Sequence, residues 1–110
     1  MKYRNKPCQV GDEKYRSQRE RDRHQELLML QRAGRITELK REVPFELAPR
    51  VKIEGEDRAR PAVKYVADFT YIEVPSGRRV VADAKGMQTT AYRLKKHLLK
   101  SIHNIDLIEI

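Results

Sequence analysis

A chain of 110 residues with 36% charged and 39% hydrophobic residues holds one domain with a modest core and is too short for two. The 24 Lys and Arg against 16 Asp and Glu give +8, a balance that favours a polyanionic partner, nucleic acid before others, over a merely basic surface. One cysteine, Cys8, excludes an intrachain disulfide and a thiolate zinc site. No stretch approaches the roughly 18 apolar residues of a membrane span, and the start lacks the apolar core of a secretory signal, so a soluble intracellular protein is expected.

Residues 1–16 are basic with almost no apolar periodicity, and read as a flexible lead-in. Ser17-Gln18-Arg19-Glu20 fits a capping box, with Ser17 as N-cap and Glu20 at N3. The spacing predicts a helix from there to about Ala33, stopped by Gly34. Leu27, Leu28, Leu30 and Ala33 supply a buried stripe. Glu20, His24, Leu27/Leu28 and Gln31 share one face, so the leucines should seat that face on a sheet and carry Glu20 to its polar edge. His24 and His97 read as surface or phosphate-facing residues.

Ile36–Leu39 is a short strand or connector. Val43, Phe45 and Leu47 alternate, and Pro44 restricts that strand to an edge or to its first residues. The charged segment 48–61, punctuated by Pro49, Gly55 and Pro61, reads as a mobile loop or hairpin whose Arg50, Lys52, Arg58 and Arg60 could contact phosphates. Val63–Val74 and Arg79–Lys85 flank the turn cluster Pro75-Ser76-Gly77 and form a β-hairpin. A second helix spans roughly Thr89–Ser101, with Ala91, Leu94, Leu98 and Ile102 on the expected core face and Arg93, Lys96, His97 and Lys100 outside. Ile105, Leu107 and Ile110 belong to a closing strand. The fold class expected is α/β with a mixed central sheet.

The chemistry concentrates at the hairpin. Asp83 and Lys85 are two apart and share a strand face, with Asp68 beside or diagonal to them on the partner strand. Alone, acid-x-lysine is a common surface pair worth under about 1 kcal/mol. Here both acids sit in apolar strands, where their desolvation calls for compensation. A divalent metal would supply it. Asp68 and Asp83, with the carbonyl of Ala84, offer hard oxygen ligands suited to Mg²⁺ or Mn²⁺. Lys85 would position the attacking water and stabilise developing negative charge. Glu20 could join through a water or a second ion, although capping alone also explains it.

Ala67-Asp68-Phe69, the hairpin, Asp83-Ala84-Lys85-Gly86 and the helix bearing Glu20 together resemble the PD-(D/E)xK nuclease superfamily and its αβββαβ core. More narrowly, the chain is similar to a small phage and prophage family of Holliday-junction-resolvase-like nucleases. That likeness extends over Ser17/Glu20, Ala33-Gly34-Arg35-Ile36, Phe45-Glu46-Leu47, Ala67–Tyr71, Asp83–Gly86 and Tyr92-Arg93-Leu94-Lys95. Ala67 stands where the proline of the superfamily name would be. Glu42 stands where a glutamine is expected, and Arg21 where a small residue is usual. The resemblance implies a nuclease-like domain over 17–110 with Asp68, Asp83 and Lys85 as the catalytic set, Glu20 as the helix acid and Lys95 as an auxiliary basic residue. It implies a metal-dependent DNA endonuclease acting on branched or duplex DNA in a bacterial host cytoplasm. The basic residues of the 50–60 loop and Arg93, Lys95, Lys96 and Lys100 are the expected phosphate contacts. A homodimer would follow from cutting both strands of a four-way junction. The rival expectation is a non-catalytic nucleic-acid-binding module or regulator, and a third is a basic RNA-binding protein of ribosomal type.

Overall fold

The computed structural model describes residues 7–11, 13–84 and 88–110. A two-stranded antiparallel hairpin, β1 (Cys8–Val10) and β2 (Glu13–Tyr15), leads into helix α1 (Gln18–Arg32). Strands β3 (Ile36–Ala48), β4 (Val63–Glu73) and β5 (Arg79–Asp83) follow, then helix α2 (Thr90–His103) and strand β6 (Ile108–Glu109). The main sheet runs β3-β4-β5-β6, antiparallel except for the parallel β5–β6 pair. The expected mixed α/β core, in the order helix, three strands, helix, strand, is therefore present.

Helix α1 starts where its capping residue dictates: the Ser17 hydroxyl accepts from the Glu20 amide at 3.1 Å, satisfying one of the orphan donors of the first turn. It ends at Ala33, and Gly34 follows at φ +76°, a left-handed position that glycine adopts without a side-chain penalty. Glu20, His24 and Leu27 are its buried residues, the face the 3.6-residue period predicts. The expected leucine stripe is narrower, because Leu30 and Ala33 are exposed and Leu27 alone inserts fully, against Ile36, Phe69 and Ala84.

The two apolar segments on either side of residue 40 are one 13-residue strand, β3, and it lies at the sheet edge, where Pro44 costs no ladder bond. The second cluster joins Leu47, Tyr65, Ala67, Val81, Tyr92, Leu99 and Leu107 beneath α2. Side-chain alternation breaks between the two clusters. Arg41 and Phe69 are register partners that reach α1 residues, through Glu20 and His24 respectively. Phe45 and Tyr65, also partners and an even number of residues away, contact α2 through His103 and Tyr92. Between them stands Glu42 at φ +52°, opposite Asp68 in the register. This left-handed residue turns β3 over, so α1 covers one part of the β3–β4 ribbon and α2 the opposite face further along.

Within the basic lead-in, residues 8–10 and 13–15 pair as β1 and β2, and Tyr15 is buried against α1. On α2 the buried residues are Tyr92 and Leu99, while Leu94 and Ile102 are 59% and 49% exposed. The expected core face is thus rotated: Tyr92 takes the inner position because its ring meets Tyr65 and its hydroxyl finds Glu109.

Candidate functional site

Asp68 and Asp83 face each other one step past the last paired residues of β4 and β5, Phe69 and Ala82. Both are buried, Asp83 completely. Their carboxylates interlock the strand ends where the backbone ladder stops. The Asp68 amide donates to Asp83 Oδ1 at 2.8 Å, and the Ala84 amide donates to Asp68 Oδ2 at 2.9 Å. Each acid thus orients the other's strand, and two carboxyl groups are held close together in the interior. Such a pair tolerates burial only through strong donors or a cation.

Part of that compensation comes from guanidinium groups. Arg16, at the exit of the hairpin, donates to Asp68 Oδ1 at 3.1 Å and lies 3.7 Å from Glu20 Oε2. Arg41 donates to Glu20 Oε1 at 3.0 Å, to Glu13 Oε2 at 2.6 Å and to the Lys14 carbonyl at 2.9 Å. Its guanidinium also sits 4.2 Å over the Tyr15 ring, a cation–π contact. Burial works to lower the Arg41 pKa, but the bond and charge of Glu20, then Glu13, carry it above its ordinary value.

Behind this network Tyr15 Oη and His24 Nδ1 lie 2.6 Å apart. Burial raises the Tyr15 pKa. Burial and then the charge of Arg41 lower that of His24. The two groups share this hydrogen bond, its direction set by the imidazole tautomer, and the imidazole stacks on Phe69. His24, expected at the surface, is a core residue because its ring fills the space between Tyr15 and Phe69. His97 is exposed, as expected.

On the far side, β6 places Glu109 beside Asp83. Glu109 accepts from Tyr92 Oη at 2.7 Å and from Gln88 Nε2 at 2.8 Å. Burial, then the Glu109 bond, raises the Tyr92 pKa, with smaller contributions from Asp83 and Asp68.

The predicted residues are thus distributed unevenly. Asp68, Asp83 and Ala84 come together, while Glu20 reaches Asp68 through Arg16. Lys85 and Gly86 lie outside the described residues. Among the described residues no group of three or more His, Cys, Asp or Glu side chains is arranged to hold a metal. Arg50, Lys52, Arg58 and Arg60 are exposed, but Arg60 pairs with Glu56 at 2.7 Å and Lys52 with the Glu56 carbonyl. On α2, Arg93 is exposed, Lys95 and Lys96 are half-buried, and Lys100 pairs with Asp106 at 3.1 Å. Arg16, Arg41 and Glu109 were not singled out from sequence. Only Arg16 had a local signal, since a residue directly before an N-cap must sit at the helix mouth.

Fold and site together define an α/β protein with a buried aspartate pair bridging the ends of two strands, framed by arginines. The chain matches a family described as a protein of unknown function (DUF1064) over residues 1–107, and it belongs to that family. Neither the curated proteins nor the solved structures contain a match. Among the described residues no helix is long and apolar enough to cross a membrane.

Proposed function

We propose that this protein is a metal-dependent DNA endonuclease of the PD-(D/E)xK type, hydrolysing phosphodiester bonds in branched or duplex DNA. The observation that carries the reading is the buried Asp68–Asp83 pair, cross-bonded through main-chain amides at 2.8 and 2.9 Å. Its oxygen-only donors suit Mg²⁺ or Mn²⁺, which take one or two carboxylates and complete their shell with water and phosphate. The Ala84 carbonyl would add a third oxygen. When bound, the ion supplies a more acidic water and neutralises charge on the attacked phosphate.

The chain's own residues then have distinct tasks. Asp68 and Asp83 hold the ion, and the amides of Asp68 and Ala84 fix the carboxylates so that little reorganisation is needed. Lys85, two positions after Asp83 in the sequence, orients the attacking water and stabilises the developing charge; this role rests on the sequence pattern. The net charge of +8 draws the polyanion in. Arg50, Arg58, Arg93 and Lys95 contribute phosphate contacts, as do Lys52, Arg60, Lys96 and Lys100 once their weak surface pairs exchange for phosphate. A homodimer would suit a two-fold-symmetric junction.

Purified protein is incubated with supercoiled plasmid and with a synthetic four-way junction in Mg²⁺, Mn²⁺ or EDTA, beside Asp83→Ala and Lys85→Ala. Metal-dependent cleavage absent from both variants supports the proposal, and paired symmetric cuts identify a junction resolvase. Binding without cleavage, equal in all three proteins, refutes it in favour of a non-catalytic nucleic-acid-binding module.

A further inference from the structure

We propose that Glu20 acts as the positioning carboxylate of Arg16 and not as a metal ligand, and that Arg16 grips the phosphate of the DNA strand lying against Asp68. The inference rests on the nuclease reading and assigns two residues of the same site.

Three observations lead to it. First, Glu20 is 3% exposed, and its two oxygens face two different guanidiniums, Arg41 at 3.0 Å and Arg16 at 3.7 Å. A carboxylate so placed is already neutralised, and a divalent ion brought to it would meet both positive charges. Second, the guanidiniums differ in freedom. The Arg41 side chain is 15% exposed and is committed to Glu20, Glu13, the Lys14 carbonyl and the Tyr15 ring. The Arg16 side chain is 58% exposed and, among the described residues, makes one hydrogen bond at the site, to Asp68. Third, Arg16 immediately precedes the N-cap Ser17, so its backbone is fixed while its planar fork reaches solvent beside the aspartates. A guanidinium binds phosphate through paired N–H donors with a geometry lysine cannot reproduce. Glu20 opposes the pull of Asp68 on Arg16, keeping the fork between the two acids and leaving Asp68 able to serve an ion.

The test measures two affinities separately. Mn²⁺ binding is followed by calorimetry, and binding of a short fluorescein-labelled duplex is followed by anisotropy in Ca²⁺ over a range of salt. Arg16→Met should weaken duplex binding by about tenfold or more, the loss expected for a charge-assisted hydrogen bond. Its salt dependence should fall by about 0.9 in slope, one phosphate contact. Mn²⁺ affinity should be unchanged or tighter, and Arg16→Lys should restore the slope with only part of the affinity. Glu20→Gln should keep Mn²⁺ affinity within about threefold yet weaken duplex binding, and the double variant should be no worse than Arg16→Met.

A loss of Mn²⁺ affinity of about tenfold or more in Glu20→Gln makes Glu20 a ligand and overturns the first half. Unchanged duplex affinity and slope in Arg16→Met overturn the second. If Glu20→Gln fails to fold, Arg16→Met still decides, since its side chain is largely exposed. Wild-type protein that binds neither Mn²⁺ nor duplex refutes the nuclease reading itself, and the inference with it.

Discussion

Tyr15→Phe isolates the contact that fastens the N-terminal hairpin to the site. The ring stays, so its packing against His24 at 5.5 Å between centroids and its stacking under Arg41 are retained. Only the hydroxyl is lost, and with it the 2.6 Å bond to His24 Nδ1 and the weaker 3.5 Å contact from Gln25. His24 is buried, so its Nδ1, in either tautomer, loses its tyrosine partner, a change that costs about 1–3 kcal/mol. For a domain of this size each kcal/mol lowers Tm by about 4–8 °C. Urea unfolding near pH 8, where His24 is neutral in both states, should show a lower midpoint with an unchanged slope. A stability difference below about 0.5 kcal/mol would place the effect among ordinary surface substitutions. It would refute the claim that this bond anchors the hairpin.

Leu99, on the inner face of α2, is fully buried, and Leu99→Ala should cost about 2–5 kcal/mol in the same assay, whereas Leu94→Ala, on the exposed face, should change stability by less than about 0.5 kcal/mol. Glu42→Gly should be neutral or stabilising, because glycine relieves the φ of +52°, and Glu42→Val should cost about 1–2 kcal/mol, since a β-branched residue resists that conformation. The lowered folded-state pKa of His24 means the unfolded chain takes up its proton first. Its contribution is therefore complete above the unfolded value near 6.5 and is lost as pH falls below it. Stability measured from pH 7 downward should decline less steeply in His24→Gln than in the wild type.

The central hairpin was legible in the sequence because several local signals agreed there. Val80–Ala82 and Phe69–Tyr71 are apolar runs on both sides of a Pro-Ser-Gly turn, and that register brings Asp68 to Asp83. Helix α1 was legible from Ser17, Gly34 and the Glu20–His24–Leu27 spacing. On α2 the aliphatic side chains alone do not mark the core face. Tyr92 outcompetes Leu94 for the core because its ring packs on Tyr65 while its hydroxyl is satisfied by Glu109, a partner many residues later. The β1–β2 hairpin has almost no apolar pattern. It is held by Tyr15 and by bonds from Arg41, 26 positions further on, which no local window contains. The inversion at Glu42 was equally invisible, since glutamate carries no turn signal. Glu20 was found by its spacing, but its partners Arg16 and Arg41 emerge only when the helix mouth is laid against β3.

The Asp68–Asp83 pair is the proposed centre of metal-dependent DNA hydrolysis. The most direct test is the single-turnover cleavage rate of a labelled four-way junction in Mg²⁺, comparing wild type with Asp83→Asn. Asparagine preserves size and can still accept from the Asp68 amide, so the fold should survive. The account predicts measurable wild-type cleavage, abolished by EDTA, and a fall of about a hundredfold or more in the variant. An unaltered rate in Asp83→Asn, or no cleavage by a folded wild type on junction or duplex in either Mg²⁺ or Mn²⁺, would contradict it.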